Sequence, residues 1–153
     1  MSSAITIQQN PGLEQPPSAE QVVKSPIISE VLDAIADDKA LTMFNTIALN
    51  AGKSDILIST LDLTRKQFYS KIERLIRHGL ISRRNGRYYL TTLGKVVYEL
   101  QNTLGVALDN YWRLKAIDSL QNPPSLPHSQ LNQLVDSLLE NAVLKNMILA
   151  KVK

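Results

Sequence analysis

The stretch Gly79–Thr91, GLISRRNGRYYLT, decides the fold. Two short β-prone runs flank Asn85-Gly86. Asn-Gly favours a two-residue type I′ hairpin turn, because both central positions need positive φ. That turn sets the pairing: Arg84 opposite Arg87, Arg83 opposite Tyr88, Ile81 opposite Leu90. One face of the ribbon then carries Ile81, Arg83, Tyr88 and Leu90, and the other Ser82, Arg84, Arg87 and Tyr89. Three arginines crowd one turn, and directly opposed like charges on a hairpin cost a few tenths to about 1 kcal/mol. A sequence shaped for hairpin stability alone would not hold this arrangement. A row of phosphates would neutralise all three arginines and release counterions.

Upstream, Thr64 with Gln67 three residues later forms a capping-box pattern and opens the helix RKQFYSKIERLIRH. Phe68, Ile72, Leu75 and Ile76 make its apolar stripe, and Lys66, Gln67, Ser70, Arg74 and Arg77 are expected on the opposite face. Gly79 ends it in the left-handed conformation. Before it, Ser54 opens a short helix with Ile56, Leu57, Ile58 and Leu61 as core candidates, joined through Asp62-Leu63. Earlier still, Ser25 is the expected N-cap and Pro26 the first position of a helix whose one apolar face is marked by Ile27, Ile28, Val31, Leu32 and Ile35. Asp37 or Asp38 can cap the next helix, whose apolar positions are Leu41, Phe44, Ile47, Ala48 and Ala51 and which stops at Gly52. Residues 1–24, rich in Gln, Pro, Glu and Ser, read as a disordered tail.

Downstream, TTLGKVVYEL starts a helix expected to run to about Leu120. Val97, Leu100, Leu104, Ala107, Tyr111 and Leu114 alternate spacings of three and four, a heptad seam that Gly105 weakens. Three prolines between Gln121 and Ser129 break it. A final amphipathic helix is expected from about Gln130 to Lys151, with Leu138, Leu139, Leu144 and Met147 on its apolar face. The fold class is mainly α with a small β-hairpin. A domain spans residues 25–100, and a helical extension, residues 101–153, supplies a dimerisation αα-hairpin or coiled coil.

Charge is unevenly placed. Eight of the 17 Lys and Arg, but one of the 14 Asp and Glu, fall between Thr64 and Tyr88. That segment carries +7 and the remainder −4, within a net charge of +3. Such local asymmetry points to a polyanionic partner. Other chemistries find no support. There is no cysteine, and the two histidines, His78 and His128, are far apart without carboxylates at ligand spacing. His78 suits the end of the basic helix as a cation on its dipole. The six glycines form no phosphate loop, and no Gly-x-Ser-x-Gly elbow occurs. No enzyme activity, cofactor or metal is expected. The longest apolar runs fall short of the ~18 residues of a membrane span. The N-terminal residues lack a basic start followed by an apolar stretch, so no signal peptide is expected and the cytoplasm is the expected location. Tyr88, Tyr89 and Tyr98 are expected to pack on the domain, and Tyr111 and Trp112 to make helix contacts.

The order short helix, basic capped helix, basic Asn-Gly hairpin, long helix is that of a helix-turn-helix followed by a wing. The string LTRKQFYSKIERLIRHGLISRRNGRYYLTTLGKVV, with Gly79-Leu80-Ile81, Asn85-Gly86, Leu90-Thr91 and Gly94, resembles the winged helix-turn-helix domains of archaeal transcription regulators. The resemblance covers about Ile27 to Tyr98. It implies a helix Thr64–His78 in the DNA major groove and a wing, Arg83, Arg84, Asn85 and Arg87, on the backbone or in the minor groove. The residue chemistry fits beside it. Lys66, Gln67, Ser70 and Arg74 can address base edges. Arg65, Lys71 and Arg77 suit phosphates, and Thr64 opens a helix N-terminus that favours one too.

Two functions follow. The first is a sequence-specific transcription regulator on double-stranded DNA, a homodimer through the C-terminal helices, with contacts to the transcription machinery possible. The second is a winged-helix adaptor that docks protein without binding DNA, using the apolar face of the final helix.

Overall fold

The computed structural model describes residues 24–121 and 126–150. The described residues are mainly helical, with 71% helix and one small antiparallel sheet. In order come α1 (Ile28–Ala34), α2 (Asp38–Leu49), β1 (Gly52–Lys53), α3 (Ser54–Thr60), α4 (Arg65–Arg77), β2 (Ile81–Arg84) and β3 (Arg87–Leu90). Four more helices follow: α5 (Thr92–Asp109), α6 (Tyr111–Gln121), α7 (His128–Leu138) and α8 (Ala142–Leu149). No helix among the described residues is long and apolar enough to cross a membrane. The expected tail lies outside the described residues up to position 23, as do 122–125 of the proline-rich link and the last three residues.

The hairpin forms in the register its turn dictates: Ile81 with Leu90, Ser82 with Tyr89, Arg83 with Tyr88 and Arg84 with Arg87. Asn85 and Gly86 both take positive φ, +50° and +73°, which a type I′ turn requires. A third strand, β1, was not expected. It pairs with β3, so the order is β1-β3-β2 and Lys53 stands opposite Arg87. A two-residue strand has no periodicity to read. Its cost to the helix assignment is plain: α2 ends at Leu49 with Asn50 as C-cap, and Gly52 belongs to the sheet instead of stopping the helix.

Helix ends follow local chemistry. Asp37 caps α2, its carboxylate accepting from Ala40 N–H at 2.9 Å. Thr64 and Gln67 close a reciprocal capping box on α4. The far end of α4 is a Schellman motif: Leu80 N–H donates to Leu75 C=O, Gly79 N–H to Ile76 C=O, and Gly79 has φ +72°. Between α3 and α4, Asp62 itself adopts φ +48°. At the other end of the hairpin Thr91 caps α5, accepting from Gly94 N–H and donating to the carbonyl of Gly79. A Cβ at Gly94 would be driven into the Leu80 carbonyl, so glycine is required where α5 crosses the α4–β2 corner. α1 starts later than expected. Its N-cap is Ile27, and Glu30 reaches back to the Ile27 N–H, so Ser25 and Pro26 precede the helix.

The expected single long helix is two. Asn110 ends α5: its N–H bonds to both Val106 and Ala107, and its side-chain amide donates to Val106 C=O. A side chain competing for the same carbonyl is a local reason to break the ladder. The expected final helix is also two. Leu139 is extended (φ −118°, ψ 127°), and Asn141 caps α8 by accepting from Leu144 N–H at 3.0 Å. This kink lets Leu139 and Leu144 enter one core together.

The described residues form two cores. The larger joins α1–α4, the sheet and the start of α5 through Phe44, Phe68, Leu75, Leu80, Ile81 and Tyr88, all buried. The smaller is formed by Ile117, Val135, Leu139 and Leu144, with the second half of α5 packed against it. Leu139 and Leu144, offered by the sequence as a docking face, are therefore covered within the chain; Met147 of the same face stays exposed.

Candidate nucleic-acid interface

Tyr88 is the residue that joins α4 to the hairpin. It is 2% exposed, its ring meets Phe68 of α4 edge-on at 6.0 Å, and its hydroxyl lies 3.4 Å from Ser54 Oγ of α3. Phe68 in turn contacts Tyr69 edge-on at 5.2 Å. On the other side, the Arg83 guanidinium sits 5.8 Å from the Tyr88 ring centroid, in cation–π range. The exposed flank of α4 and the exposed end of the hairpin are thus linked through two buried rings. Tyr98 packs edge-on against Phe44 at 6.4 Å, while Tyr89 remains partly exposed. The packing expected for the tyrosines describes Tyr88 and Tyr98.

The basic residues divide into two groups. Lys71 Nζ lies 2.8 Å from both Asp37 carboxylate oxygens. Its side chain is only 19% exposed. The hydrogen bond from Lys71 is the main cause that holds the Asp37 carboxyl below its ordinary value, outweighing partial burial; the Ala40 N–H adds to it. Arg74 bonds to the Asp33 carboxylate at 3.0 Å and to the Asp33 carbonyl, while its Nε is buried without a hydrogen-bond partner among the described residues. These two cations fix α4 to α1 and to the α1–α2 link. Arg77 pairs with Glu73 at 2.6 Å, but both side chains are well exposed, so the pair exchanges readily with other charges.

The second group has no acidic partner within 4.0 Å among the described residues: Arg65, Lys66, Arg83, Arg84 and Arg87. All five are exposed. Lys53 joins them. It is exposed, and β1 places it beside Arg87, so Lys53, Arg87 and Arg84 form a row across three strands.

The open face of α4 is turned from the one expected. Phe68, Ile72 and Leu75 are buried, Lys71 and Arg74 are half-buried toward α1, and Ile76 is exposed. At 100° per residue the outward ridge opposite Phe68 is Lys66, Ser70, Glu73 and Arg77, with Tyr69 and Arg65 on the hairpin side. Gln67 is engaged in the capping box and lies toward α1 with Arg74. Thr64 caps the helix start, and Asn85 sits exposed at the hairpin tip. So Lys66, Ser70 and Arg77 share one ridge, Arg83, Arg84, Asn85 and Arg87 cluster on the hairpin, and Lys71 and Arg74 do not join either surface. Sequence reasoning passed over Tyr69 and Lys53. Tyr69 had a signal, its position next to the apolar stripe; Lys53 had none, since it depends on strand pairing.

Against protein-family models, curated proteins and solved structures alike, the chain finds no match.

Proposed function

We propose that the chain is a sequence-specific double-stranded DNA-binding transcription regulator of winged helix-turn-helix type. In this reading α3 and α4 are the helix-turn-helix, α4 lies in the major groove, and the β2–β3 hairpin is the wing on the backbone or in the minor groove. The observation that carries it is the set of exposed cations without acidic partners among the described residues, three of them in register across the sheet. A duplex phosphate row supplies the missing counter-charge.

Roles follow from placement. Lys66 and Ser70 read base edges, with Arg77 released from Glu73 as a third contact. Arg65, Lys53, Arg83, Arg84 and Arg87 meet phosphates. Tyr69 lies against the sugar–phosphate edge between helix and wing. Lys71 and Arg74 set the angle of α4 by holding it to α1, so they act on DNA through position. With five or six phosphates neutralised per protomer, log affinity falls against log salt with a slope of roughly −5.

The test is selection of bound fragments from genomic DNA, followed by gel-shift titration of the selected site and of random duplex. A selected motif whose preference shifts in Lys66→Ala and persists in Arg84→Ala supports the assignment. Absence of salt-sensitive binding to any duplex refutes it and leaves the reading of a winged-helix adaptor that docks protein without binding DNA.

A further inference from the structure

An uncovered apolar surface runs along α1 and α5. α1 and the first half of α5 border a cleft of about 620 Å³ whose lining contains no charged residue. Ile28 (80% exposed), Leu32 (58%), Val96 (52%), Leu100 (59%), Leu104 (60%) and Leu108 (63%) stand along it or continue its α5 edge. Together they present on the order of 600–700 Å² of apolar surface, at or above the ~300–600 Å² of the largest patch on an ordinary monomer.

We infer that this α1/α5 face is a homodimer interface and that its occupant is a second copy of the chain. Three observations select a copy over another partner. First, area: doubling the patch gives roughly 1,300 Å², within the ~1,200–2,000 Å² that stable specific interfaces bury. Second, pattern: Val96, Leu100, Leu104 and Leu108 recur every four residues along α5 as one exposed ridge, which meets its own copy when two α5 helices cross. Third, charge: with no charged side chain in the cleft, two copies each carrying +3 meet there without opposing like charges. The C-terminal helices, by contrast, spend Ile117, Val135, Leu139 and Leu144 on their own core. The inference does not depend on the DNA reading; an adaptor would dimerise by the same face.

The test is sedimentation equilibrium of the full chain without DNA, from about 1 to 100 µM. The expected result is a dimer with Kd below ~10 µM, weakened at least ~100-fold in the Leu100→Glu/Leu104→Glu double variant. Both positions are exposed in the monomer, so its far-UV spectrum is expected to be unchanged. A readout that needs no destabilising change uses the absence of native cysteine. Leu104→Cys is expected to cross-link to itself with a short bis-maleimide, and Glu99→Cys, outside the stripe, is not. A monomer at 100 µM overturns the inference, as does a dimer that survives the double variant or cross-links equally at both cysteines. A wild-type monomer that dimerises once residues 1–23 are removed also overturns it, assigning the cleft to the N-terminal segment.

Discussion

Arg87 is the centre of the sharpest prediction, because one substitution there should raise stability and lower DNA affinity together. β3 is the middle strand, so Arg87 is flanked by Arg84 on one side and Lys53 on the other. Each directly opposed like-charge pair costs ~0.2–1 kcal/mol, and exposure to water and salt keeps these two at the low end. Arg87→Gln retains most of the side-chain stem while removing both repulsions, for a gain of about 0.5–1 kcal/mol. For a domain of this size that corresponds to a rise in Tm of roughly 2–6 °C at low salt. In ~1 M salt, where the Debye length is about 3 Å, the gain should vanish. Arg87→Lys keeps the charge and should leave Tm unchanged. In gel-shift titrations Arg87→Gln loses about one phosphate contact, so the salt slope becomes shallower by ~0.9 while the selected sequence stays the same. The assay pair is thermal unfolding across a salt series and DNA titration across the same series. A variant that is less stable at low salt, and binds DNA as tightly as the parent, refutes the claim that this row is held against its own repulsion for a polyanion.

Asp37→Asn should keep a competent cap on α2 and lose the Lys71 ion pair, so the variant is less stable than the parent at neutral pH and converges on it in acid. The sign is set by the depressed Asp37 pKa: its contribution is present above the unfolded value, near 3.8, and is lost as pH falls through the folded one. Chemical denaturation from pH 7 to pH 2 should therefore show a shallower acid decline in Asp37→Asn than in the parent; an identical decline removes Asp37 as a source. The two glycines of α5 should respond oppositely. Gly94→Ala meets the Leu80 carbonyl and should cost about 2–3 kcal/mol or more, whereas Gly105→Ala, with nothing within 4 Å, should gain about 0.5–1 kcal/mol. Thermal melts that rank them the other way contradict the crossing of α5 over the α4–β2 corner.

What could be read from sequence was what local chemistry enforces. The type I′ turn needs two positive-φ residues, so Asn85-Gly86 gave the strand register to the residue. Thr64 and Gln67 announced the start of α4, and Gly79 its end. What could not be read depends on partners distant in the chain. β1 exists because β3 offers a free edge. The breaks at Asn110 and Leu139 let the C-terminal segment fold back on itself, while the periodicity of each apolar run continues through the break and suggests an uninterrupted helix.

The same limit governs the basic segment, and it changes what its charge means. A +7 run read alone treats every cation as available. Asp33 and Asp37 lie 41 and 34 residues upstream of their partners, yet they take Arg74 and Lys71 out of that pool and put them to work orienting α4. Lys53, outside the run, enters the pool through strand pairing. The exposed, unpaired set is thus close in size to the expected one but shifted in place, from the α1 side of α4 toward the hairpin. For an anion this shift matters more than the count. Cations on opposite sides of one element cannot neutralise one phosphate row: Arg83 shares the Tyr88 face of the hairpin, which packs on Phe68 of α4, whereas Lys53, Arg84 and Arg87 stand on the other face of the sheet, and the hairpin as a unit is tied to α4, with its Lys66 ridge, through Phe68 and Tyr88. Truncating Tyr88 to Leu should therefore weaken DNA binding more than the loss of any one arginine, because it loosens the registry between helix and hairpin without removing a charge. If Tyr88→Leu folds and binds with parental affinity, helix and hairpin do not act as one surface.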